Sequence, residues 1–502
     1  MNQDNGGIIG KLNTPTTTVA SGVWTLQDQF EAQTSSIWPL AFPQITIANA
    51  CRFDDGSSDN LSRTPSSSGN RKTWTWSSWV KKSTIGSGYQ FIFSSTDAST
   101  STGGVGTNYN GDNKIFLRDD LISLNLTPNA VHRDLSAWYH IVVALDTTQS
   151  TASDRAKMYI NGTQVTSFST ETYPNQNTDG SINLVSGSYV HSIGSYNASS
   201  NFFDGYMTEV IFVDGQALDP TSFGVFNTVS NIWEPRGYAG TYGTNGFRLD
   251  FANSSALGND VSGNDNDFTV NNLTSIDQST DTCSNNFATM NPLDNYYASS
   301  TFSEGNTKIV TDASAKAANT STFGISSGKW YCEIKAVQIY NGYAQFGIKG
   351  TVPTSTTDGV GDGTDGYAYT ASGGNKINNG SASSYGTVWN NNDIIGIAID
   401  LDNNKLYFSR NGSFQDSGDP TSGSTGTGAA FSLGTPSSGA YYIATSDGDT
   451  SGGSANTYEF NFGNSPFTIS SGNADANGFG NFEYAVPSGY FSLCTKNLAE
   501  YG

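Results

Sequence analysis

The stretch DIIGIAIDLDNNKLYFSRNG, residues 393–412, alternates in a way that is typical of β-strands. Large aliphatic side chains alternate with small residues, the period of two expected for a strand beside a core. Asp402-Asn403-Asn404 then suits a tight turn, because Asn tolerates positive φ and Asp bonds nearby backbone amides. A second strand ends on Asn411-Gly412, so the stretch predicts a β-hairpin in a sandwich wall. The aliphatic face consists of Ile395, Ile397, Ile399 and Leu401, opposite Gly396 and Ala398.

The two aspartates of this hairpin could also be read as an acidic site. Asp400 and Asp402 stand where the first strand meets the turn. Short polar side chains are favoured at such positions because they bond the turning backbone. We therefore interpret both as turn residues and not as a general acid and base.

The same pattern occurs upstream in YHIVVALDTTQSTASDRAKMYINGTQV, residues 139–165. An apolar strand ends at Asp146, and a shorter strand ends at Asn161-Gly162. Two such hairpins indicate two related modules. A chain of 502 residues is also too long for one ordinary core.

Composition favours an all-β protein. The sequence has 56 glycines, 12% aromatic residues and only 13% charged residues, as expected for many short strands joined by polar turns. A formal net charge of -21 would repel a phosphate backbone, so nucleic-acid binding is not expected. No apolar run approaches the roughly 20 residues of a membrane span, and the N-terminus lacks a signal-peptide pattern. We therefore expect neither membrane insertion nor a secretion signal.

Cysteines and histidines give no catalytic or metal pattern. The four cysteines are far apart and form no Cys-x-x-Cys pair, so we expect small buried side chains, without a zinc site or a dense disulfide framework. His140 lies inside the strand WYHIVVAL, where a packed or surface ring is expected rather than a catalytic one. The cysteines are Cys51, Cys283, Cys332 and Cys494, and the other histidines are His132 and His191.

Residues 1–48 differ from the rest and are predicted to form an anchoring arm. In SGVWTLQDQFEAQ apolar residues recur at spacings of three and four, and Thr25 and Asp28 are placed as in a capping box, which predicts a short amphipathic helix. Helices shorter than about 12 residues are marginal in water, so this one must dock on its own domain or on another chain. The predicted anchoring side chains are Trp24, Leu26, Phe30 and Trp38.

Residues 49–275 resemble the laminin-G-like, concanavalin-A-like jelly roll. The segments CRFDDGSSDNLS, TWTWSSWVKK, WYHIVVALD, MYINGTQV and FDGYMTEVIFVDGQAL occur in the expected order. One departure is LDFANSSALGNDVSGNDNDFT, residues 249–269, which looks like the opening segment of such domains but follows the closing strand. First and last strands of a jelly roll can be neighbours, so a permuted order is physically plausible.

Residues 285–502 resemble a SPRY domain, a second two-sheet sandwich. The resemblance is carried by SSGKWYCEIKA, YAQFGIKG, DGYAYTASGGNKINNG, SYGTVWNNNDIIGIAIDLDNNKLYFSRNG and YEFNFGNSPF. Residues 276–284 are predicted to be the linker between the modules. The predicted fold is therefore two antiparallel jelly-roll sandwiches, concanavalin-A-like and then SPRY-like, behind a short arm.

Catalysis is not expected. A glycosidase on this fold needs two carboxylates about 5 to 10 Å apart across a cleft. The resembling hydrolases carry them as Glu-x-Asp-x-x-Glu on one strand, and no such string occurs here. Glu333 and Glu459 each stand alone in a predicted strand.

Two glycine-rich acidic loops are candidate calcium sites. DVSGNDND and DGVGDGTD each gather carboxylates, the hard oxygen ligands that calcium prefers, but neither has the EF-hand spacing. Solvated turns are the alternative, so no cofactor is expected beyond a structural calcium. The candidate ligands are Asp260, Asp265 and Asp267 in the first loop and Asp358, Asp362 and Asp365 in the second.

Aromatic residues are the candidate sugar contacts, since flat rings stack on the apolar faces of sugars. Trp79 is expected to be buried, because WVKK is a core strand in the resembling family. Trp74 and Trp76 share one strand face of unassigned direction. Tyr367, Tyr385 and Trp389 lie near the loops that build the partner surface in the SPRY family, and aromatic packing under a loop is the alternative interpretation.

As a whole, the arm, the laminin-G-like module and the SPRY-like module ending near FSLCTKNL resemble structural proteins of tailed bacteriophages. This resemblance implies a virion appendage, most simply a tail fibre whose loops bind host surface glycans while the arm binds other virion proteins. It also implies a homo-oligomer. The alternatives are a capsid or neck decoration protein and, third, a glycan-cleaving enzyme.

Overall fold

A computed structural model describes residues 26–34, 45–86, 88–96, 102–108, 111–185, 189–340, 342–448, 453 and 455–502. The described chain is built from strands with two short α-helices, α1 Leu26–Thr34 and α2 Thr495–Tyr501. Short 3-10 turns join some strands, at Asp120–Ile122, Ala152–Asp154, Pro220–Ser222, Ser275–Asp277, Ser372–Gly374, Gln415–Ser417 and Pro420–Thr425. In this part of the chain no helix is long and apolar enough to cross a membrane.

The first sandwich contains strands β1 to β18. Their bounds are β1 Ala50–Phe53, β2 Asn60–Arg63, β3 Thr73–Lys82, β4 Gln90–Thr96, β5 Thr102–Thr107, β6 Phe116–Asp119, β7 Leu124–Pro128, β8 Trp138–Asp146, β9 Ala156–Ile160, β10 Thr163–Gln164, β11 Phe168–Thr172, β12 Val190–Ile193, β13 Gly205–Asp214, β14 Gly224–Phe226, β15 Trp233–Pro235, β16 Phe247–Leu249, β17 Thr269–Asn271 and β18 Gln278–Ser279.

Two eight-stranded antiparallel sheets face each other in this sandwich. One has the order β10-β9-β8-β3-β13-β1-β18, with β16 also on β13, and the other has the order β11-β7-β6-β5-β4-β12-β2-β17. The late segment predicted to be permuted supplies strands to both sheets, since β16 pairs with β13 and β17 pairs with β2. Side chains that alternate inward from the two sheets form one apolar core.

The second sandwich contains strands β19 to β33. Their bounds are β19 Thr301–Ser303, β20 Lys308–Val310, β21 Asn319–Ile325, β22 Lys329–Gln338, β23 Ala344–Lys349, β24 Gly366–Thr370, β25 Asn375–Asn378, β26 Ser381–Ser384, β27 Ile394–Asp400, β28 Lys405–Arg410, β29 Ser413–Phe414, β30 Phe431–Ser432, β31 Tyr441–Asp447, β32 Thr457–Asn461 and β33 Phe491–Ser492.

A nine-stranded sheet and a six-stranded sheet form this sandwich. The nine-stranded sheet has the order β19-β20-β32-β22-β27-β28-β29, with β30 on β28 and β33 on β22, and the six-stranded sheet has the order β21-β31-β23-β24-β25-β26. The β22–β33 pair is parallel, a local departure from the antiparallel prediction. The all-β prediction of two sandwiches is confirmed.

The opening hairpin is β27 and β28, paired from Ile395↔Arg410 to Asp400↔Lys405. Its aliphatic face points into the core as predicted. The small-residue face is also covered, because Ala398 packs in a second apolar cluster with Phe482 and Tyr490. A Cβ on Gly396 would stand 2.9 Å from the Tyr331 hydroxyl, so this covering layer explains the small residues on that face.

The two sandwiches are joined by a buried polar junction, to which the predicted linker at 276–284 contributes. Ser279 and Gln278 form a strand on β1, and Asp281 is fully buried. The Lys81 ammonium donates to Asp281 Oδ2 at 2.7 Å and to Asn286 Oδ1 at 2.8 Å. Further contacts run from Tyr206 Oη to Gly305 O (2.9 Å) and from Arg52 Nε to Glu304 Oε2 (3.2 Å). The junction therefore fixes one sandwich against the other.

Candidate functional site

The tryptophans of β3 are packed inside the first sandwich. Trp74 and Trp76 are fully buried in its core, and Trp76 stacks on Phe93 with ring centroids 6.3 Å apart. Neither ring offers a face to a sugar, which corrects their assignment as a binding platform. Trp79 points to the other side of the strand, where it is buried against His140 and Trp233. All three tryptophan rings are therefore packed inside the first sandwich.

Of the three aromatic candidates in the second sandwich, Trp389 borders a cavity. Tyr367 and Trp389 are almost fully buried, and Tyr385 packs partly buried against the same core. Burial raises the pKa of the Tyr385 hydroxyl far above its ordinary value, and its ring lies edge-on to Tyr369 at 5.7 Å. Tyr367 and Tyr385 therefore pack against the core, in agreement with the alternative interpretation of aromatic packing under a loop.

The cavity beside Trp389 is an open cleft of about 520 Å³, which we call the asparagine cleft. Its walls come from the ends of β22 and β24 and from the loop before β27. Backbone, aliphatic and uncharged polar groups line it, and none of the lining side chains is charged. They are Ile339, Gly342, Ala371, Ser372, Gly373, Val388, Trp389, Asn390 and Asn391.

The loops of the asparagine cleft are held by their own hydrogen bonds. Asn391 Oδ1 accepts from the Ile339 N–H at 2.7 Å, which ties one wall to the other. Asp393 Oδ2 accepts from the Asn390 N–H at 2.7 Å. Gly373 adopts a φ of 68°, in the left-handed region that favours glycine. The cleft is therefore formed before any ligand binds.

Trp389 was a candidate sugar contact from the sequence, but the polar residues beside it were not. Ser372, Asn390 and Asn391 are exposed and provide a hydroxyl and two amides, groups that can both donate and accept hydrogen bonds. The available signal was the asparagine run in VWNNND.

The carboxylates of Glu333 and Asp400 are bound by neighbouring groups of the fold. Glu333 is fully buried and accepts from the N–H groups of Glu483 and Tyr484 at 2.9 and 2.8 Å, while burial raises the pKa of its carboxyl. Asp400 accepts from the Asn403 N–H and pairs with Lys329 Nζ at 3.0 Å, as expected of a turn residue. These carboxylates stabilise the fold.

The first acidic loop is closed by its own backbone. Asp260 Oδ1 accepts from the N–H groups of Arg248 and Ser262, and Oδ2 accepts from the Asn266 N–H and the Ser262 hydroxyl. Asp267 Oδ1 accepts from the Asp260 N–H, and Asp265 has a positive φ of 56°. The carboxylates of Asp260 and Asp267 therefore act as turn acceptors.

The second acidic loop surrounds a lysine. The Lys349 ammonium is buried and donates to Asp358 Oδ1 at 2.7 Å, to Gly359 O and to Asp362 O. Asp365 Oδ2 accepts from the Ser437 N–H. Within the described ranges no cluster of three or more His, Cys, Asp or Glu side chains is arranged to hold a metal ion. These contacts favour the alternative interpretation of solvated turns over a structural calcium.

The described part of the predicted arm includes α1 and residues 45–48. Phe30 is 59% exposed on α1. Trp24, Trp38 and the side chain of Leu26 lie outside the described residues. Ile47 is buried beside Trp79 and Trp233, and its N–H donates to Ser284 Oγ at 3.0 Å. The last residues assigned to the arm therefore pack on the first sandwich, which corrects the arm boundary of 48.

Two family models match separate parts of the chain. Residues 55–221 match the laminin G model described as the concanavalin A-like lectin/glucanases superfamily. Residues 329–445 match the SPRY domain model. The two matches fall in the first and second sandwiches, so the chain carries a concanavalin-A-like domain followed by a SPRY domain.

Several solved structures are similar to parts of the chain. The SPRY domain of human HERC1 is 16% identical over 34% of this chain and 96% of that chain, with a TM-score of 0.27. A heptameric SAP-like pentraxin from Limulus polyphemus is 15% identical over 35% and 79%, with a TM-score of 0.25. Domain 4 of an extracellular arabinanase from Geobacillus stearothermophilus, in complex with arabinotriose, is 16% identical over 32% and 68%, with a TM-score of 0.23. No curated protein sequence matches the chain.

Proposed function

We propose that the protein binds glycans through the loops of its sandwiches and works as a phage virion appendage, most simply a tail fibre. The asparagine cleft is the observation that carries the binding proposal. Its uncharged lining of amides, a hydroxyl and apolar side chains suits a neutral, hydroxyl-rich ligand. The match of residues 55–221 to a superfamily of lectins and glucanases also supports glycan binding.

The protein binds glycans without cleaving them in this proposal. The asparagine cleft is lined by no carboxylate, whereas glycoside hydrolysis uses two that face each other. Glu333 and Asp400 are committed to backbone and lysine partners. The outcome that opposes this part of the proposal is release of reducing ends from a bound polysaccharide.

The virion role is supported by the arrangement of the chain. The described part of the N-terminal arm precedes two sandwiches that the buried junction holds together. Such a unit can present loops at a fixed distance from an attachment point. Several copies on one particle would make weak single sites useful, since linked sites gain avidity without new contacts.

The test compares glycan binding by monomeric protein with binding by protein multimerised on beads. We expect weak binding by the monomer and strong binding by the beads. Asn391→Ala should weaken both, and the matched surface variant Asn477→Ala on the same sandwich should weaken neither. Absent binding in both forms, together with association of the protein with capsids or necks, would favour the decoration role instead.

A further inference from the structure

A second cleft in the same sandwich is independent of the asparagine cleft. It has a volume of about 390 Å³ and lies between the loop of residues 291–300 and the turn at Val352-Pro353. Two aromatic rings, Tyr296 and Tyr297, line it, so we call it the tyrosine cleft. Its volume falls within the range of roughly 300–1,000 Å³ typical of small-molecule sites.

The tyrosine cleft exposes an unusual amount of apolar surface for this chain. Tyr296 is 87% exposed, Val352 is 59% exposed and Leu293 is 51% exposed. The mean hydropathy of the chain is -0.39, and its surface loops are mostly small and polar. Exposed apolar groups gathered at one concave place mark an interaction site.

The loop that carries Tyr296 is closed by side-chain hydrogen bonds. Asn295 Nδ2 donates to Ser300 O at 2.8 Å, and Asn295 Oδ1 accepts from the Ser300 N–H at 3.2 Å. Asn319 Nδ2, from β21, donates to Asp294 O at 3.0 Å and to Asn295 Oδ1 at 3.1 Å. Tyr296 is therefore presented by a fixed loop, which reduces the entropy lost when a ligand binds.

The two rings form a corner. Their centroids are 4.8 Å apart and their planes meet at 89°. A ligand that lies flat on one ring therefore meets the edge of the other. A pyranose or furanose has an apolar face of C–H groups and a rim of hydroxyls, and it can stack on a tyrosine while its hydroxyls reach polar neighbours.

The carboxylate in the tyrosine cleft disfavours negatively charged ligands. Asp294 lines the cleft and is partly buried, and one of its carboxylate oxygens accepts from the Thr320 hydroxyl. A carboxylate accepts hydrogen bonds from sugar hydroxyls but repels another carboxylate. The chain as a whole carries a net charge of -21, which adds to this repulsion.

We infer that the tyrosine cleft is a second glycan subsite that takes uncharged sugar rings by stacking on Tyr296 and discriminates against uronic acids. This inference rests on the proposed glycan binding and adds to it a place and a ligand class. Two clefts on one rigid sandwich would also let a single chain engage two parts of one polysaccharide.

The experiment uses the full chain and isothermal titration with neutral gluco-, galacto- and manno-oligosaccharides, with alginate oligomers as the anionic arm. Tyr296→Ala should weaken binding of the best neutral ligand about tenfold, or about 1.4 kcal/mol. Tyr296→Phe should retain binding because it keeps the ring. Alginate oligomers should bind at least about tenfold more weakly than the neutral ligand.

The outcomes separate this inference from the proposed function. If the wild-type protein binds a neutral glycan and Tyr296→Ala binds it equally well, the tyrosine cleft is not a subsite, while glycan binding stands. If the wild-type protein binds no glycan, both fail. If alginate binds as tightly as the neutral ligand, the charge argument is wrong. If Tyr296→Ala changes the oligomeric state in sedimentation and leaves glycan binding intact, the cleft is a contact between copies of the chain.

Discussion

His140 is held in its neutral form by two partners. Trp233 Nε1 donates to His140 Nδ1 at 2.9 Å, and the tryptophan nitrogen can only donate. The other ring nitrogen therefore carries the proton and donates to Ser77 Oγ at 2.9 Å. Burial lowers the pKa of His140 to about 3. The neutral imidazole thus packs between Trp79 and Trp233 and bonds Trp233 to Ser77 in the first sandwich.

The pH dependence of the free energy of unfolding should reflect the titration of His140. Because the folded pKa of His140 lies below the unfolded value of about 6.5, its contribution is present above pH 6.5 and is lost as pH falls towards 3. A pKa lowered from 6.5 to about 3 corresponds to about 5 kcal/mol. His140→Gln keeps one acceptor and one donor but does not titrate, so its urea midpoint should fall less between pH 6.5 and 4. Identical pH profiles for the two proteins would contradict this assignment.

The hairpin β27–β28 depends on one residue in the left-handed region. Asn404 has a φ of 56° at the turn, where a Cβ costs about 1–2 kcal/mol except in residues that tolerate this conformation. We expect Asn404→Ala to lower the free energy of unfolding by about 1 kcal/mol and Asn404→Gly to leave it nearly unchanged. Equilibrium urea unfolding of both variants measures the difference. Equal loss in both would show that the Asn404 side chain matters and not its backbone.

The acidic loops predict the response to metal removal. Their carboxylates already accept from backbone N–H groups and, in the second loop, from the Lys349 ammonium. We therefore expect the melting temperature to be the same in EDTA and in excess calcium. A fall in EDTA that calcium restores would establish a structural calcium and would direct mutagenesis to Asp260 and Asp358.

The junction is expected to make the two sandwiches unfold together. Lys81 and Asp281 are both buried, so removing only the lysine leaves an uncompensated charge, which costs about 3–5 kcal/mol. Lys81→Met should lower the unfolding midpoint and split a single calorimetric transition into two. Lys81→Met with Asp281→Asn should recover much of the midpoint. A single unchanged transition in Lys81→Met would show that the junction does not couple the sandwiches.

We expect that the arm can be removed up to residue 44 without unfolding the first sandwich. Deleting residues 1–44 should leave melting nearly unchanged, since Ile47 and its bond to Ser284 remain, but should abolish self-association or incorporation into particles. Deleting residues 1–49 removes Ile47 from the Trp79 and Trp233 layer and should lower the melting temperature by several degrees. If the shorter deletion already unfolds the protein, the arm belongs to the first sandwich and the anchoring role fails.

The all-β class, the two modules and the turns were predictable from the residues alone, because alternation and turn chemistry act between residues close in the chain. Which face of a strand is covered became clear only from the packing of the sheets. Trp74 and Trp76 alternate as an exposed platform would, but the opposing sheet buries them. The covered small face of β27, the junction at Asp281 and the tyrosine cleft all bring together segments distant in sequence. Local periodicity carries no information about such long-range contacts, which depend on how the sheets and sandwiches pack.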